Sequence, residues 1–320
     1  MKGKNKWLWA PLAAALALPA AGQTYPAKPI RLVVPIVPGG SVDLIARRFA
    51  QKLTEPLGQP IVVENISGAS GTIGAAQVAR SAPDGYTLMW CTVGETIVYR
   101  FLSRNQVYDS VKDFTPIMAA VSAVTILAAH PSVPGSTLRE VIDYARANPG
   151  KLAYGSAGIG SYFHMTGELF KSMAGVDILH VPYKGVPPAL TGLAGGQVQL
   201  MFVSYASAQP FAGKMKILGM NEAARYPLLP NVPAIGEVVP GFEKLPTWYA
   251  FFGPAGIPRP IVARLNAEMN KALAAQDMKE YFDAQALIAL GGTPEDLDAS
   301  QRKGIESYER VVKLAGLKPE

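Results

Sequence analysis

From Tyr25 onward the chain alternates short β-branched apolar runs with segments of helical periodicity. Ile30 to Val37 is almost wholly apolar, as expected of a strand covered on both faces. After Pro38-Gly39-Gly40, Ser41 opens a helix with Val42, Ile45, Ala46, Phe49 and Leu53 on one face, expected to end before Pro56-Leu57-Gly58. Ile61 to Val63 reads as a second strand, and Ser67-Gly68-Ala69-Ser70-Gly71 as a turn opening a small-residue helix through Ala79. Pro83-Asp84-Gly85 then turns the chain into strand Tyr86 to Cys91. The βαβαβ order predicts an α/β fold with parallel strands.

The apolar run Ile117 to Ala129 is long enough to leave one sheet and enter another. Thr137 to Ala147 reads as a helix, and Lys151 to Phe170 as a strand, a turn on Gly155, Gly158 and Gly160, and a helix opening at Ser161. Strands are expected over Ile178 to Val181, Val198 to Val203 and Met215 to Met220, with a helix over Pro187 to Ala194. Beyond a Pro-rich stretch come an aromatic strand, Trp248 to Phe252, and three helices, Arg259 to Ala275, Asp277 to Ala286 and Pro294 to Leu314. Packing of these helices back onto the first part gives two lobes joined by two crossing segments. The expected boundaries are 23–124 with 225–320 for the first lobe and 125–224 for the second. Both glycine turns, 38–40 and 155–160, then open onto one cleft, since ligands of open α/β sheets sit at the carboxyl ends of strands. Each turn leads into a helix N-terminus, where free N–H groups and the macrodipole suit an anion.

Residues 1–22 read as a signal peptide: Lys2, Lys4 and Lys6, an apolar run Trp7 to Ala20, and the small residues Ala20-Ala21-Gly22 at a cleavage site. That run of about 14 residues falls short of the ~20 a spanning helix needs. Export to the periplasm follows, with cleavage near Gly22. Without the three signal lysines, 27 Lys and Arg face 24 Asp and Glu, a net +3 with no basic cluster of the nucleic-acid kind. Cys91, alone in the chain, cannot form an intrachain disulfide and reads as a buried small hydrophobe.

Catalytic patterns are scarce. His130, His164 and His180 lack partners at metal-ligand spacing, and neither G-x-S-x-G nor a P-loop occurs. Gly158-Ile159-Gly160 is half a dinucleotide fingerprint, with Phe163 at the third glycine position. A Ser161–His164 nucleophile pair lacks an orienting acid. No catalytic residue, metal or cofactor is expected. Ser41 and Ser161 read as helix N-caps or ligand contacts, Asp43 as a dipole-stabilised or ligand-facing carboxylate, and His164 as a hydrogen-bonding partner at the cleft wall or a ligand contact. Lys184 is either solvated or paired across the lobes, and Gly68 to Gly71 either a third ligand loop or a tight turn.

The ordered segments YPAKPIRLVVPIVPGGSVDLIARRFAQKL, GQPIVVEN, PDGYTLM, KDFTPI, ANPGKLAYGSAGIGSYFH, HVPYKG, GGQVQLMF, LPNVPAIGE and PAGIP closely resemble the Bug/TctC family. These are extracytoplasmic solute-binding receptors of tripartite tricarboxylate transporters. The resemblance implies a type II periplasmic-binding-protein fold closing on a small carboxylate, and a membrane partner of one large and one small integral subunit. It further implies a site of Gly39, Gly40, Ser41 and Asp43 on one lobe and Ser156, Ala157, Gly160, Ser161 and His164 on the other. The chain departs from the family pattern at Ile36, where phenylalanine is common, at Ile159, often polar, and at Val203-Ser204, where an aspartate often stands. The last departure places Ser204 at the site and argues against an amino-acid ligand. The expectation is a monomeric receptor for a mono- or dicarboxylate, aromatic ones included. The rivals are a sensor that presents its closed form to a membrane sensor kinase, and a secreted hydrolase using Ser161 and His164.

Overall fold

The computed structural model describes residues 25–319; the signal segment lies outside the described residues. In chain order the elements are β1 (Ile30–Val34), α1 (Ser41–Leu57), β2 (Ile61–Asn65), α2 (Thr72–Ala79), β3 (Thr87–Cys91), α3 (Tyr99–Leu102) and β4 (Phe114–Ala123). Then come β5 (Thr125–Ala129), α4 (Leu138–Ala147), β6 (Leu152–Ser156), α5 (Tyr162–Ala174), β7 (Ile178–Pro182), α6 (Val186–Ala194), β8 (Leu200–Ser204), α7 (Tyr205–Ala208), β9 (Lys216–Met220) and α8 (Ile235–Val238). The chain finishes with β10 (Tyr249–Pro254), α9 (Arg259–Ala274), α10 (Gln276–Ala284), β11 (Leu287–Ala289) and α11 (Pro294–Leu314).

Two sheets result. One has six strands in the order β11-β4-β10-β3-β1-β2, the other five in the order β7-β6-β8-β5-β9. β1 pairs in parallel with β2 and β3, and β6 with β7 and β8. β10 enters antiparallel between β3 and β4, although about 160 residues separate it from β3. The all-apolar β1 is explained by its two covered faces. Leu32 and Val34 join the cluster of Ile45, Phe49 and Leu53 from α1, while Val33 joins that of Ala75 and Val78 from α2.

Helix α1 runs through Pro56 to Leu57, two residues past the expected end. Pro56 removes one donor in the last turn, but Leu57 is buried, and the helix stops only at Gly58, whose φ of 70° lets its N–H bond Glu55 O. The long apolar run divides as read: β4 ends at Ala123 in the first sheet and β5 starts at Thr125 in the second. The returning segment departs from the reading. Residues from 225 on stay with the second sheet as far as Phe242. Met220 N–H donates to Pro233 O (2.8 Å), Arg139 reaches Val238 O (2.9 Å), and the Phe242 ring lies 6.4 Å from Phe170. The burial of Ile235, Val239 and Phe242 holds this Pro-rich stretch in place. The C-terminal helices reach back across β4, with Tyr308 bonding Pro246 O and Gln301 bonding Thr96 O and Ser110 O, each at 2.8 Å.

Candidate functional site: a cleft between two helix N-termini

Between the sheets lies a cleft of about 740 Å³. On one side the turn after β1 delivers Gly40 as N-cap of α1, while Gly39 takes a φ of 91° that suits glycine alone. Asp43 braces this turn from behind. Its carboxylate accepts from Gly39 N–H (3.0 Å), Asn65 Nδ2 (2.9 Å) and Arg47 Nε (3.1 Å), and the residue is 2% exposed. Burial works to raise its pKa, but those hydrogen bonds outweigh it and hold the carboxyl below its ordinary value. Asp43 therefore does not line the cleft, in contrast to its expected contact role.

Ser41 is not the N-cap. It is the first helical residue, and its Oγ lies 3.1 Å from Ser204 Oγ and 3.2 Å from Tyr249 OH, while its N–H donates to Ser207 Oγ at 3.3 Å. Ser204 is buried, caps α7 and bridges the lobes rather than lining the cleft.

On the other side Ser161 does cap its helix: its Oγ accepts from His164 N–H at 3.2 Å. Gly158 and Gly160 hold φ of 121° and 82°. Ser156 Oγ accepts from Gly158 N–H (3.1 Å) and sits 2.7 Å from His180 Nε2. His164 Nδ1 accepts from Gly160 N–H (3.2 Å), which leaves its own proton on Nε2. The two imidazoles stack at 4.2 Å. Burial first, and for His180 the neighbouring His164 next, pulls their pKa values down to about 4 for His164 and about 3 for His180. Both rings are therefore neutral near pH 7 and act as props behind the turn. Ser161 and His164 meet only through a backbone N–H, so they form no nucleophile–base hydrogen bond. Ala157, Gly160 and Ser161 line the cleft with Gly40 and Ser41; Gly39, Ser156 and His164 do not.

The N–H groups of Val42 and Asp43 on α1, and of Tyr162 and Phe163 on α5, lie in first helical turns and lack intrahelical acceptors. Both macrodipoles place partial positive charge at the cleft. The described walls are otherwise largely apolar, with Ile36, Val42, Leu102, Ile159, Phe163 and Val186. Among the described residues no cluster of metal-ligating side chains occurs, and no helix is long and apolar enough to cross a membrane.

Residues 45–302 match the family model described as tripartite tricarboxylate transporter family receptor. The chain belongs to that receptor family. It is 38% identical over 292 residues to a UPF0065 protein in the tcbD-tcbE intergenic region of Pseudomonas sp. strain P51, covering 90% of this chain and 86% of the relative. The structure of R. palustris Rpa4515 with adipate superposes with a TM-score of 0.89 at 36% identity, covering 92% of this chain and all of the other. MatC (Rpa3494) from Rhodopseudomonas palustris with bound malate gives 0.84 at 33% identity, covering 90% and 100%.

In this receptor the cleft also recruits residues that pattern reading passed over, Thr92 and Glu95 after β3, Tyr99 on α3 and Thr125 on β5, together with Tyr249 on β10, whose aromatic run read as mostly core. A signal for the first two was present. The TVGE segment follows the carboxyl end of a parallel strand, where ligands of such sheets collect. Ser67 to Ser70 also lines the cleft, and Lys184 is an exposed part of its wall with no ion-pair partner among the described residues.

Proposed function

We propose that this receptor captures a small mono- or dicarboxylate, aromatic ones included, and delivers it to a tripartite transporter with one large and one small membrane subunit. It acts as a monomer in the periplasm after loss of the N-terminal segment. The observation that carries the reading is the pair of helix N-termini, α1 and α5, facing one largely apolar cleft from two sheets. Such a site binds an anion through backbone N–H groups and shelters a hydrocarbon body. Gly40, Ser41, Ala157, Gly160 and Ser161 form the contacting set; Gly39, Asp43, Ser156 and His164 hold the turns; Ser204 joins the lobes. The first lobe comprises residues 25–123 with 243–319 and the second 125–242. Ligand favours the closed form because only there do both termini meet it.

The adipate and malate in the two superposed structures support this class of ligand. Isothermal titration of the purified receptor with adipate, malate, hexanoate and benzoate tests it, with at least one expected to bind with micromolar or tighter Kd. A receptor deaf to all carboxylates, or one that takes only amino acids, refutes the reading. Loss of growth on the bound compound after deletion of the receptor tests delivery.

A further inference from the structure

Glu95 is the acidic side chain in the described cleft wall, and it is 2% exposed. It stands in a π-helical turn, Gly94–Val98, of a kind often found at functional sites. Its Oε2 accepts from Thr92 N–H (2.9 Å) and Thr92 Oγ (2.8 Å). Among the described residues no other residue donates a hydrogen bond to its Oε1. The facing turn is shaped around that free oxygen. Ala69, Ser70 and Gly71 take φ of 44°, 53° and 93°, and a Cβ at Gly71 would overlap Oε1. Two non-glycine residues at positive φ mark a segment held against its own preference.

We propose that Glu95 sets ligand specificity by donating a hydrogen bond from Oε1 to an acceptor oxygen of the bound carboxylate compound. The inference rests on the carboxylate-receptor reading above. No ion pair among the described residues includes Glu95. The titratable groups near it are Cys91 on β3 and Tyr108, whose OH bonds Glu95 O at 2.9 Å and whose ring stacks on Tyr99 of α3, while the uncharged Gln301 of α11 bonds the next residue's carbonyl, Thr96 O. The cation of the cleft wall, Lys184, is exposed. An ionised Glu95 would be a buried, unpaired anion in a cleft that receives another anion, which both desolvation and like-charge repulsion disfavour. Burial accordingly pushes its pKa above the ordinary carboxyl value, against the opposing hydrogen bonds from Thr92 and from its own backbone N–H. The proton then belongs on Oε1, because Oε2 already receives two donors. Ligands that offer a carbonyl or carboxylate oxygen at this wall are favoured over those that offer an ammonium group.

Titration calorimetry with adipate, malate and glutamate from pH 5.5 to 9.5 tests the assignment on wild type, Glu95→Gln and Glu95→Leu. These ligand carboxylates stay ionised across most of that window, and His164 and His180 titrate below it. The wild type is expected to lose affinity for adipate or malate with rising pH, approaching about tenfold per unit once Glu95 ionises. Glu95→Gln keeps a donor without a titrating proton and should abolish the slope; Glu95→Leu should bind more weakly than Glu95→Gln at pH 5.5. Circular dichroism melting checks that both variants fold. Binding without a pH slope, the same slope in Glu95→Gln, or tight glutamate binding lost in Glu95→Gln overturns the assignment while leaving the receptor reading intact. No binding of any carboxylate overturns both.

Discussion

Lys244 lies where the chain recrosses between the sheets. Its Nζ is 2.8 Å from both oxygens of Glu222 and 3.1 Å from Ser122 Oγ on β4, and Glu222 Oε1 accepts from Thr125 N–H on β5 at 3.3 Å. Their side chains are 18% and 11% exposed, so neither is fully desolvated. Lys244→Met removes the cation and strands the carboxylate. Breaking a fully buried pair costs about 3–5 kcal/mol, and partial exposure brings this one to roughly 2–3. Burial already raises the Glu222 pKa despite Lys244, and the variant raises it further. A raised folded-state pKa gives stability that is complete below the unfolded value and lost as pH climbs towards and through the folded one. The deficit of Lys244→Met, read from urea unfolding, should therefore be larger at pH 8 than at pH 5. Glu222→Gln/Lys244→Met, with no charge left to strand, should recover to within about 1 kcal/mol of wild type. Additive single effects in that double-mutant cycle, or a deficit independent of pH, would refute the reasoning.

Ser161→Leu should abolish carboxylate affinity in calorimetry, while loss of the N-cap lowers stability by only about 1 kcal/mol in urea. Gly185 has a φ of 119°, and a Cβ there would overlap Val37 of the other lobe. Gly185→Ala should weaken ligand binding by disfavouring closure, an overpacking cost of about 1–3 kcal/mol, and Val37→Ala should restore part of it. The His164 and His180 pKa values lie below their unfolded value of about 6.5, so the stability they contribute is present above it. It falls at up to about 1.4 kcal/mol per unit for His164 as pH drops towards 4, and by less for the partly solvated His180. Nuclear magnetic resonance of the imidazoles should show both still neutral at pH 5. Phe49, fully buried against Trp90 and Phe251, should cost about 3–5 kcal/mol on replacement by Ala.

What could be read from sequence was local. The strand–turn–helix units carry their own evidence in apolar runs, glycines and caps, and the unbroken run through Val124 announces the passage between sheets. The insertion of β10 beside β3 could not be read, because the pairing of Phe251 with Trp90 joins segments about 160 residues apart with no local signature. Likewise the place of Asp43 in a first turn left a structural and a ligand-facing role open, and the family resemblance implied the contact. Its actual partners, Arg47 and Asn65, turn it away from the cleft, and Asn65 belongs to another strand. Ser204 was expected at the ligand site from its place after Val203, and its bond to Ser41 across the lobes had no local signature. Residues 225–242 followed the second sheet because of where Ile235 and Phe242 find burial, which proline content does not encode.

The turns around Gly40 and Gly160 present main-chain amides, which every amino acid except proline supplies. Under the proposed reading, substitution of side chains leaves the demand for an anion in place, whereas Ile36, Val42 and Ile159 can be exchanged one by one. Each methylene gained or lost there alters transfer free energy by about 0.8 kcal/mol, a few-fold in affinity. Descendants of such a receptor would drift through successive carbon skeletons in small steps without ever ceasing to recognise acids.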